Sequence, residues 1–200
     1  MKIAVIYGGT RQDGNTEIIT ERVVEGLSVE RIYLKDYKIQ PIEDFRHSKS
    51  GFHTVDDNYN EIIDRIVPHD ILIFATPIYW YGMSGTLKNF IDRWSQTLKD
   101  SQYPNFKTTM ATKRACVIAV GGDEPSLKGL PLIQQFQYIF NFIGISFDEY
   151  IIAKGDKTGE VLLDKSALFD AGQMKNRLKI KISEEDKING FSSTETKELP

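Results

Sequence analysis

The residues whose types and spacing suit chemistry lie in three glycine-bounded stretches. Each follows a short apolar run. The first is Gly8-Gly9-Thr10-Arg11-Gln12-Asp13-Gly14-Asn15-Thr16. It leads into an expected helix N-terminus, where unpaired backbone N–H groups and the helix dipole favour an anion. Thr10 and Thr16 add hydroxyls, Asn15 an amide, and Arg11 a guanidinium able to grip a phosphate with two parallel hydrogen bonds. The stretch is neither G-x-G-x-x-G nor G-x-x-x-x-G-K-[ST], which disfavours a dinucleotide fingerprint and an ATP loop. The plain alternative is an ordinary capped turn between strand and helix. The second stretch, Thr76-Pro77-Ile78-Tyr79-Trp80-Tyr81-Gly82-Met83-Ser84-Gly85, sets three adjacent aromatics between Pro77 and Gly82. A strand buries only alternate side chains, and a bare loop would leave all three rings in water. A flat aromatic ligand or a partner subunit would cover them; the alternative is that they cap the core. The third stretch is Gly121-Gly122-Asp123.

These stretches need elements to position them. Ile3 to Tyr7, Ile71 to Ala75 within Asp70–Thr76, and Ala115 to Val120 read as buried strands. Val29 to Leu34 and Phe147 to Ala153 complete a set of five. A helix is expected from Asn15, as its cap, to Leu27, with Ile18, Ile19, Val23 and Leu27 inward. Asp56 and Asp57 open another, carrying Tyr59, Ile62, Ile63 and Ile66 inward and ending at Pro68. Leu87, Phe90, Ile91, Trp94 and Leu98 share one face of a third helix. Lys88, Asp92 and Arg93 fill its other face, and Lys88 can pair with Asp92 one turn away. Leu130 to Ile143 is a fourth helix, stopped by Gly144, and Lys165 to Lys179 a fifth. Strands alternating with helices imply parallel pairing through right-handed crossovers, hence a doubly wound three-layer α/β sheet in the order 2-1-3-4-5. In such a sheet ligands bind beyond the carboxyl ends of the strands. The expected organisation is one domain over 1–182, with its core in 1–153, a helical extension over 154–182 and a flexible tail over 183–200.

Composition removes several functions. Hydrophobic residues at 40% can build a core, and a net charge of −3 leaves no basic footprint for nucleic acid. The single cysteine, Cys116, permits no internal disulfide and no cysteine-held metal or iron–sulfur site. Within an apolar strand it reads as inert core. His47, His53 and His69 lack the spacing of metal ligands. No run approaches the roughly 18 apolar residues of a membrane span, and Met1-Lys2 precedes too few apolar residues for a signal peptide. A cytoplasmic protein is expected. The stretch over 35–54 is longer than most connections, and is expected to cover the site or join a subunit interface.

The first two loops together suit one ligand bearing a phosphate and a flat ring, which describes flavin mononucleotide (FMN) better than a dinucleotide. Gly8 to Thr16 resembles the G-S-P-R-x-x-G-N-T loop of the NADPH-dependent FMN reductase family. Thr76 to Gly82 and Gly85-Thr86-Leu87-Lys88-Asn89-Phe90-Ile91-Asp92-Arg93 resemble that family's second flavin loop and the helix after it. The resemblance spans about residues 1–153. It implies a flavodoxin-like fold, non-covalent FMN, NADPH or NADH as co-substrate, and a homodimer or homotetramer. By position it implies that Gly9, Thr10, Arg11, Asn15 and Thr16 hold the phosphate. Pro77, Ile78, Tyr79, Trp80, Tyr81, Gly82 and Met83 would run along the ring, and Gly121 and Gly122 would approach it without a Cβ. Two departures stand out. Gly9 and Thr10 replace the family's serine and proline, and Pro41 to Ser48 carries none of the cysteines of the iron–sulfur flavoproteins in this group.

The activity so implied is an oxidoreductase passing hydride from a reduced nicotinamide through FMN to a small acceptor such as a quinone, a flavin, or a nitro or azo compound. The cofactor carries the chemistry, so no side-chain acid or base and no metal ligand is assigned. Backbone N–H groups near Tyr79 to Gly82 would stabilise negative charge on a reduced ring. Two other readings stay open: a flavodoxin-type electron carrier, and a non-enzymatic binding module on the same scaffold.

Overall fold

The computed structural model describes residues 1–194, with side chains to residue 185. Strands β1 (Ile3–Tyr7), β2 (Val29–Tyr33), β3 (Ile71–Pro77), β4 (Arg114–Gly121) and β5 (Ser146–Lys154) form one sheet in the order β2-β1-β3-β4-β5. Every neighbouring pair is parallel. This is the expected flavodoxin-like arrangement. The chain leaves β1 for β2 on one side and returns to β3 on the other, so the crevice between the β1 and β3 ends is the switch point where ligands bind.

The sheet has an apolar core on each face. In β1, Ala4 and Ile6 point into one core, and Ile3, Val5 and Tyr7 into the other. In β3, Leu72 and Phe74 alternate with Ile71, Ile73 and Ala75 in the same way. Burial on both faces is why these strands read as continuous apolar runs. One face is covered by α2 (Tyr59–Ile66), α3 (Gly85–Asp92), α4 (Trp94–Thr97), α5 (Phe106–Ala111) and α7 (Leu130–Ile143). The other is covered by α1 (Asn15–Val24) and α8 (Lys165–Thr194). The short α6 (Pro125–Lys128) leads into α7, which ends at Gly144 with φ 91°.

Several elements differ from the sequence reading. α1 stops at Val24 and not Leu27, because Gly26 turns the chain at φ 76°. The single helix expected over Leu87–Leu98 is two, α3 and α4, broken at Arg93. Lys88 and Asp92 do pair, at 2.5 Å. Arg93 does not share their exposed face. Its guanidinium is buried, donating to Asp57 Oδ2 at 2.7 Å, Gln96 Oε1 at 2.7 Å and the Gln40 carbonyl at 3.1 Å. It also lies over the Tyr59 ring, 4.5 Å from the centroid. Asp57 is correspondingly more than a helix opener. α2 begins at Tyr59 with Asn58 as its N-cap, and the Asp57 carboxylate sits one residue earlier, against Arg93. A buried charge must be paired and hydrogen-bonded, and hydrophobic periodicity carries no sign of such a pair.

Residues after 153 do more than extend the core. Val161, Ala167, Ala171, Met174 and Leu178 are buried in the second core beside α1, and α8 is continuous to Thr194. Of the tail expected over 183–200, residues 195–200 lie outside the described residues. The 35–54 stretch is pinned where it meets the body. Lys38 N–H donates to Asn58 Oδ1, Asn58 N–H to the Lys38 carbonyl, and Gln40 N–H to Asp57 Oδ2. The residues between fold toward α4, where Lys99 Nζ bonds the Arg46 carbonyl.

Candidate functional site

An open cleft lies beyond the carboxyl ends of β1, β3, β4 and β5. The first loop contributes Gly9, Thr10, Arg11, Asn15 and Thr16 to it, the second Pro77, Ile78 and Tyr79, and the third Gly121 and Gly122. A second cavity adjoins it and shares Ile78, Gly121, Gly122 and Asp156; Trp80 and Tyr81 line that one. Gly82 and Met83 line neither, and Met83 is buried in the core. No residue of the 35–54 stretch lines either space. Its hydrogen bonds run instead to Asp57, Asn58 and Lys99, on the α2–α4 side.

The first loop opens α1 with an N-terminus of the kind that favours an anion. The α1 N-cap is Gly14, and no side chain caps the first turn. Asn15 is therefore not the cap, and its side chain does other work. Its Nδ2 donates to the Lys157 carbonyl at 2.8 Å, and its Oδ1 accepts from the N–H groups of Gly159 at 2.8 Å and Val161 at 3.4 Å. Arg11 Nη1 likewise reaches the Asp156 carbonyl at 3.3 Å. The loop after β5 is thus tied to the start of α1, and its Gly155 and Asp156 line the cleft. Thr10 and Arg11 are exposed at the rim, whereas Thr16 is buried.

Ser84 joins the first two loops. Its hydroxyl donates to the Gly8 carbonyl at 2.7 Å and accepts from Leu87 N–H at 3.3 Å, capping α3. Its own N–H donates to Thr76 Oγ1 at 3.0 Å. The approach is close: a Cβ at Gly8 would sit 2.9 Å from Ser84 Oγ and 2.9 Å from Leu87 Cβ. A serine three residues before the first apolar position of a helix is a legible cap signal, yet which strand end it would hold is a tertiary fact. At the third loop, a Cβ on Gly121 would meet Ile78 at 3.1 Å, and one on Gly122 would meet Asp156 at 3.0 Å. A side chain at either position would be tight against the protein's own neighbours, which would have to give by a few tenths of an ångström.

The aromatic loop is a tight hairpin. Tyr79 and Gly82 exchange both backbone hydrogen bonds at 3.0 Å, and the two residues between them, Trp80 (φ 47°) and Tyr81 (φ 64°), are left-handed. Two-residue hairpins with both central φ positive normally use Asn-Gly or Gly-Gly. Bulky residues there are strained, and such strain persists where the surroundings impose it, often at functional sites. Trp80 consequently stands 96% exposed, while the other tryptophan, Trp94, is 4% exposed in the core.

Two aromatic residues of the cleft escape the sequence reading. Tyr7 and Tyr33, register partners on β1 and β2, stack with centroids 4.6 Å apart and line the cleft with Glu17. Tyr33 donates to Glu17 Oε1 at 2.9 Å, and Glu17 Oε2 accepts from Asp13 N–H at 3.0 Å. Tyr7 donates to Glu21 Oε1 at 2.5 Å. Burial and the Glu17 carboxylate push the Tyr33 hydroxyl up to about 12, and burial and Glu21 raise that of Tyr7, so both phenols stay protonated donors. A tyrosine closing each of two adjacent strands was the available signal. Cys116 is buried as expected, and burial pushes its thiol up to about 12, which leaves it inert.

The residues present suit FMN. Uncapped helix donors and Arg11 at one side of the cleft would receive a phosphate, and Pro77 to Tyr79 with Gly121 and Gly122 would flank a flat ring.

Comparison with known proteins agrees. The family described as NADPH-dependent FMN reductase matches residues 1–144. A Bacillus subtilis (strain 168) relative, "Putative NAD(P)H-dependent FMN-containing oxidoreductase YwqN", is 58% identical over 177 residues, covering 88% of this chain and 98% of its own length. The solved structure of the Trp repressor binding protein from Bacillus subtilis superposes with a TM-score of 0.74 at 51% identity, covering 86% of this chain and 97% of that one. The NAD(P)H:quinone oxidoreductase from Methanothermobacter marburgensis superposes with a TM-score of 0.66 at 16% identity, covering 89% and 98%, a likeness of fold alone.

Proposed function

The chain belongs to the NADPH-dependent FMN reductase family, and we propose that this NAD(P)H-dependent FMN oxidoreductase reduces a small flat acceptor such as a quinone, a flavin, or a nitro or azo compound. The observation that carries the reading is the cleft in which the first loop, Pro77 to Tyr79 and Gly121-Gly122 converge, with Trp80 and Tyr81 on the adjoining cavity. Bound FMN supplies the two-electron chemistry between a reduced nicotinamide and the acceptor.

The chain's own residues bind and orient. The uncapped first turn of α1 and Arg11 hold the phosphate through charge-assisted hydrogen bonds. Asn15 fastens the β5 loop against that turn. Ser84 keeps the β1 and β3 loops at a fixed separation, so phosphate and ring sites stay in register. The Trp80 and Tyr81 N–H groups, which the hairpin's own hydrogen-bond pair does not use, would stabilise negative charge on a reduced ring. Trp80 and Tyr81 offer their faces to nicotinamide and acceptor in turn. The exposed Tyr138 and Phe142 on α7 support association into a homodimer, read by sedimentation.

The test is an absorbance spectrum of the purified protein, followed by anaerobic titration with NADPH and NADH. Flavin bands that bleach, then return with a quinone over many turnovers, support the reading. Bands that bleach without steady turnover would indicate an electron carrier, and a protein that neither contains nor takes up flavin would sink the proposal.

A further inference from the structure

The second cavity sets carboxylates beside a bare aromatic face. Its volume is about 530 Å³. Trp80 and Tyr81 form one wall, and Asp123, Pro125 and Lys128 the other. Lys128 is the one cation among the lining residues, and it is already engaged. Its Nζ lies 2.7 Å from Asp123 Oδ1 and 3.6 Å from Glu124 Oε2. The other Asp123 oxygen accepts the Tyr81 hydroxyl at 3.2 Å. Asp156 adds a further carboxylate residue to the lining. The charged lining residues are therefore Asp123 and Asp156 against Lys128, which Glu124 also approaches. The formal balance is negative beside a bare aromatic face.

We propose that this cavity is where electron acceptors dock, and that Asp123, by holding Lys128 and Tyr81, selects neutral flat rings over rings bearing an anionic substituent. The inference rests on the flavin reading above for what the acceptor meets, but not for where it docks. Two structural features carry it. The left-handed Trp80-Tyr81 pair holds the rings out toward the cavity rather than into the core, which gives a stacking platform without charge. The single lysine that could receive a sulfonate or carboxylate is occupied by a fixed internal anion. An incoming anion meets a lysine whose charge Asp123 already offsets, and must sit beside that carboxylate. Removing that carboxylate leaves Lys128 open to an anionic substituent. The pair is solvent-exposed, so its loss has little bearing on folding.

The test is tryptophan fluorescence titration with menadione, a neutral quinone, and with naphthoquinone sulfonate, on both the apoprotein and the FMN-loaded protein. The chain has only two tryptophans. A ring docked in the cavity quenches the exposed Trp80 and not the buried Trp94, and Trp80→Phe serves as the control. The wild type is expected to favour the neutral quinone by about fivefold, the scale of one unit charge at contact distance in a largely aqueous site. Asp123→Asn should narrow or reverse that ratio, and Lys128→Gln should widen it. An unchanged ratio in both variants, or quenching that survives in Trp80→Phe, overturns the proposal. FMN binding, read separately by loss of flavin fluorescence, tells the two readings apart. FMN uptake with an unresponsive ratio defeats this proposal alone. A responsive ratio without FMN uptake defeats the flavin reading and leaves the docking site standing.

Discussion

Arg93 and Asp57 stand 36 residues apart in sequence and meet as a buried ion pair, Nη1 to Oδ2 at 2.7 Å, with each side chain 2% exposed. The pair closes the α3–α4 break against the start of α2, and through the Gln40 carbonyl and N–H it fixes where the 35–54 stretch leaves the body. Removing one partner strands a charge, so Asp57→Ala is expected to cost about 3–5 kcal/mol. Replacing both partners, as in Asp57→Leu with Arg93→Met, should cost less than the two single changes combined. Urea unfolding measures both, and a cost for Asp57→Ala inside the ordinary surface range would mean the clamp is unimportant.

Ser84 is the link between the phosphate-side and ring-side loops. Ser84→Ala removes a helix cap and leaves the buried Gly8 carbonyl short of a partner, so a loss of about 1–3 kcal/mol is expected. If Ser84 also sets the spacing of the two loops, FMN affinity should fall together with stability. A destabilised variant that binds FMN at full affinity would restrict Ser84 to a structural role.

Asn15→Ala removes the three hydrogen bonds that hold the Lys157–Val161 segment. The expected result is weaker FMN binding and faster amide exchange at Gly159 and Val161, since their acceptor is gone. Asn15→Asp keeps the acceptor and loses only the donation to Lys157, so its exchange should stay near the wild type. Equal exchange in all three proteins would show that the brace does not govern this loop.

The hairpin tip should be improvable at a functional cost. Replacing Trp80-Tyr81 with Asn-Gly puts residues suited to positive φ at both positions. Left-handed backbone costs an ordinary residue roughly 1–2 kcal/mol, so a gain of about 1 kcal/mol in stability is expected. Acceptor reduction should slow in the same variant, because the aromatic platform is lost. Thermal melting and turnover are read on one preparation.

Stability should decline on acidification. Hydrogen bonds from Arg31 hold the Glu21 carboxyl below its usual range, and Tyr7 contributes. Burial works to raise Asp148, but Arg114 and Lys181 outweigh it and hold its pKa low. In both cases the folded state releases protons that the unfolded chain still binds, so stability rises with pH through this window. It is fully present above the unfolded values of roughly 4, and lost as pH falls through the lowered folded values. Glu21→Gln should flatten this acid limb in pH-dependent urea unfolding, and an unaltered limb would count against the Arg31–Glu21 pair.

Much of the molecule was legible beforehand. The apolar runs of β1, β3 and β4 and the periodicity of α7 arise from burial that is repeated along the chain, and a repeated pattern can be read without coordinates. Arg93 and Asn15 were misjudged for one common reason. Each is a polar residue at a position where local rules predict solvent or a cap, and each is instead paired with a group far along the chain. Tyr7, Tyr33, Ser84, Gly155 and Asp156 joined the site unannounced because strands and loops distant in sequence end side by side.

The sequence alone determined the strand–helix alternation, and with it a parallel sheet whose carboxyl ends carry the loops. It also marked the phosphate-type stretch at Gly8–Thr16 and the aromatic stretch at Thr76–Gly85. These are local properties, set by side-chain type at fixed spacing. Only the tertiary structure decided that Ser84 would hold those two loops together, that the segment after β5 would line the cleft, and that Trp80 would stand in solvent on a left-handed turn. Those outcomes depend on which backbone groups are brought within hydrogen-bonding or van der Waals distance across the fold, which no single stretch of chain encodes.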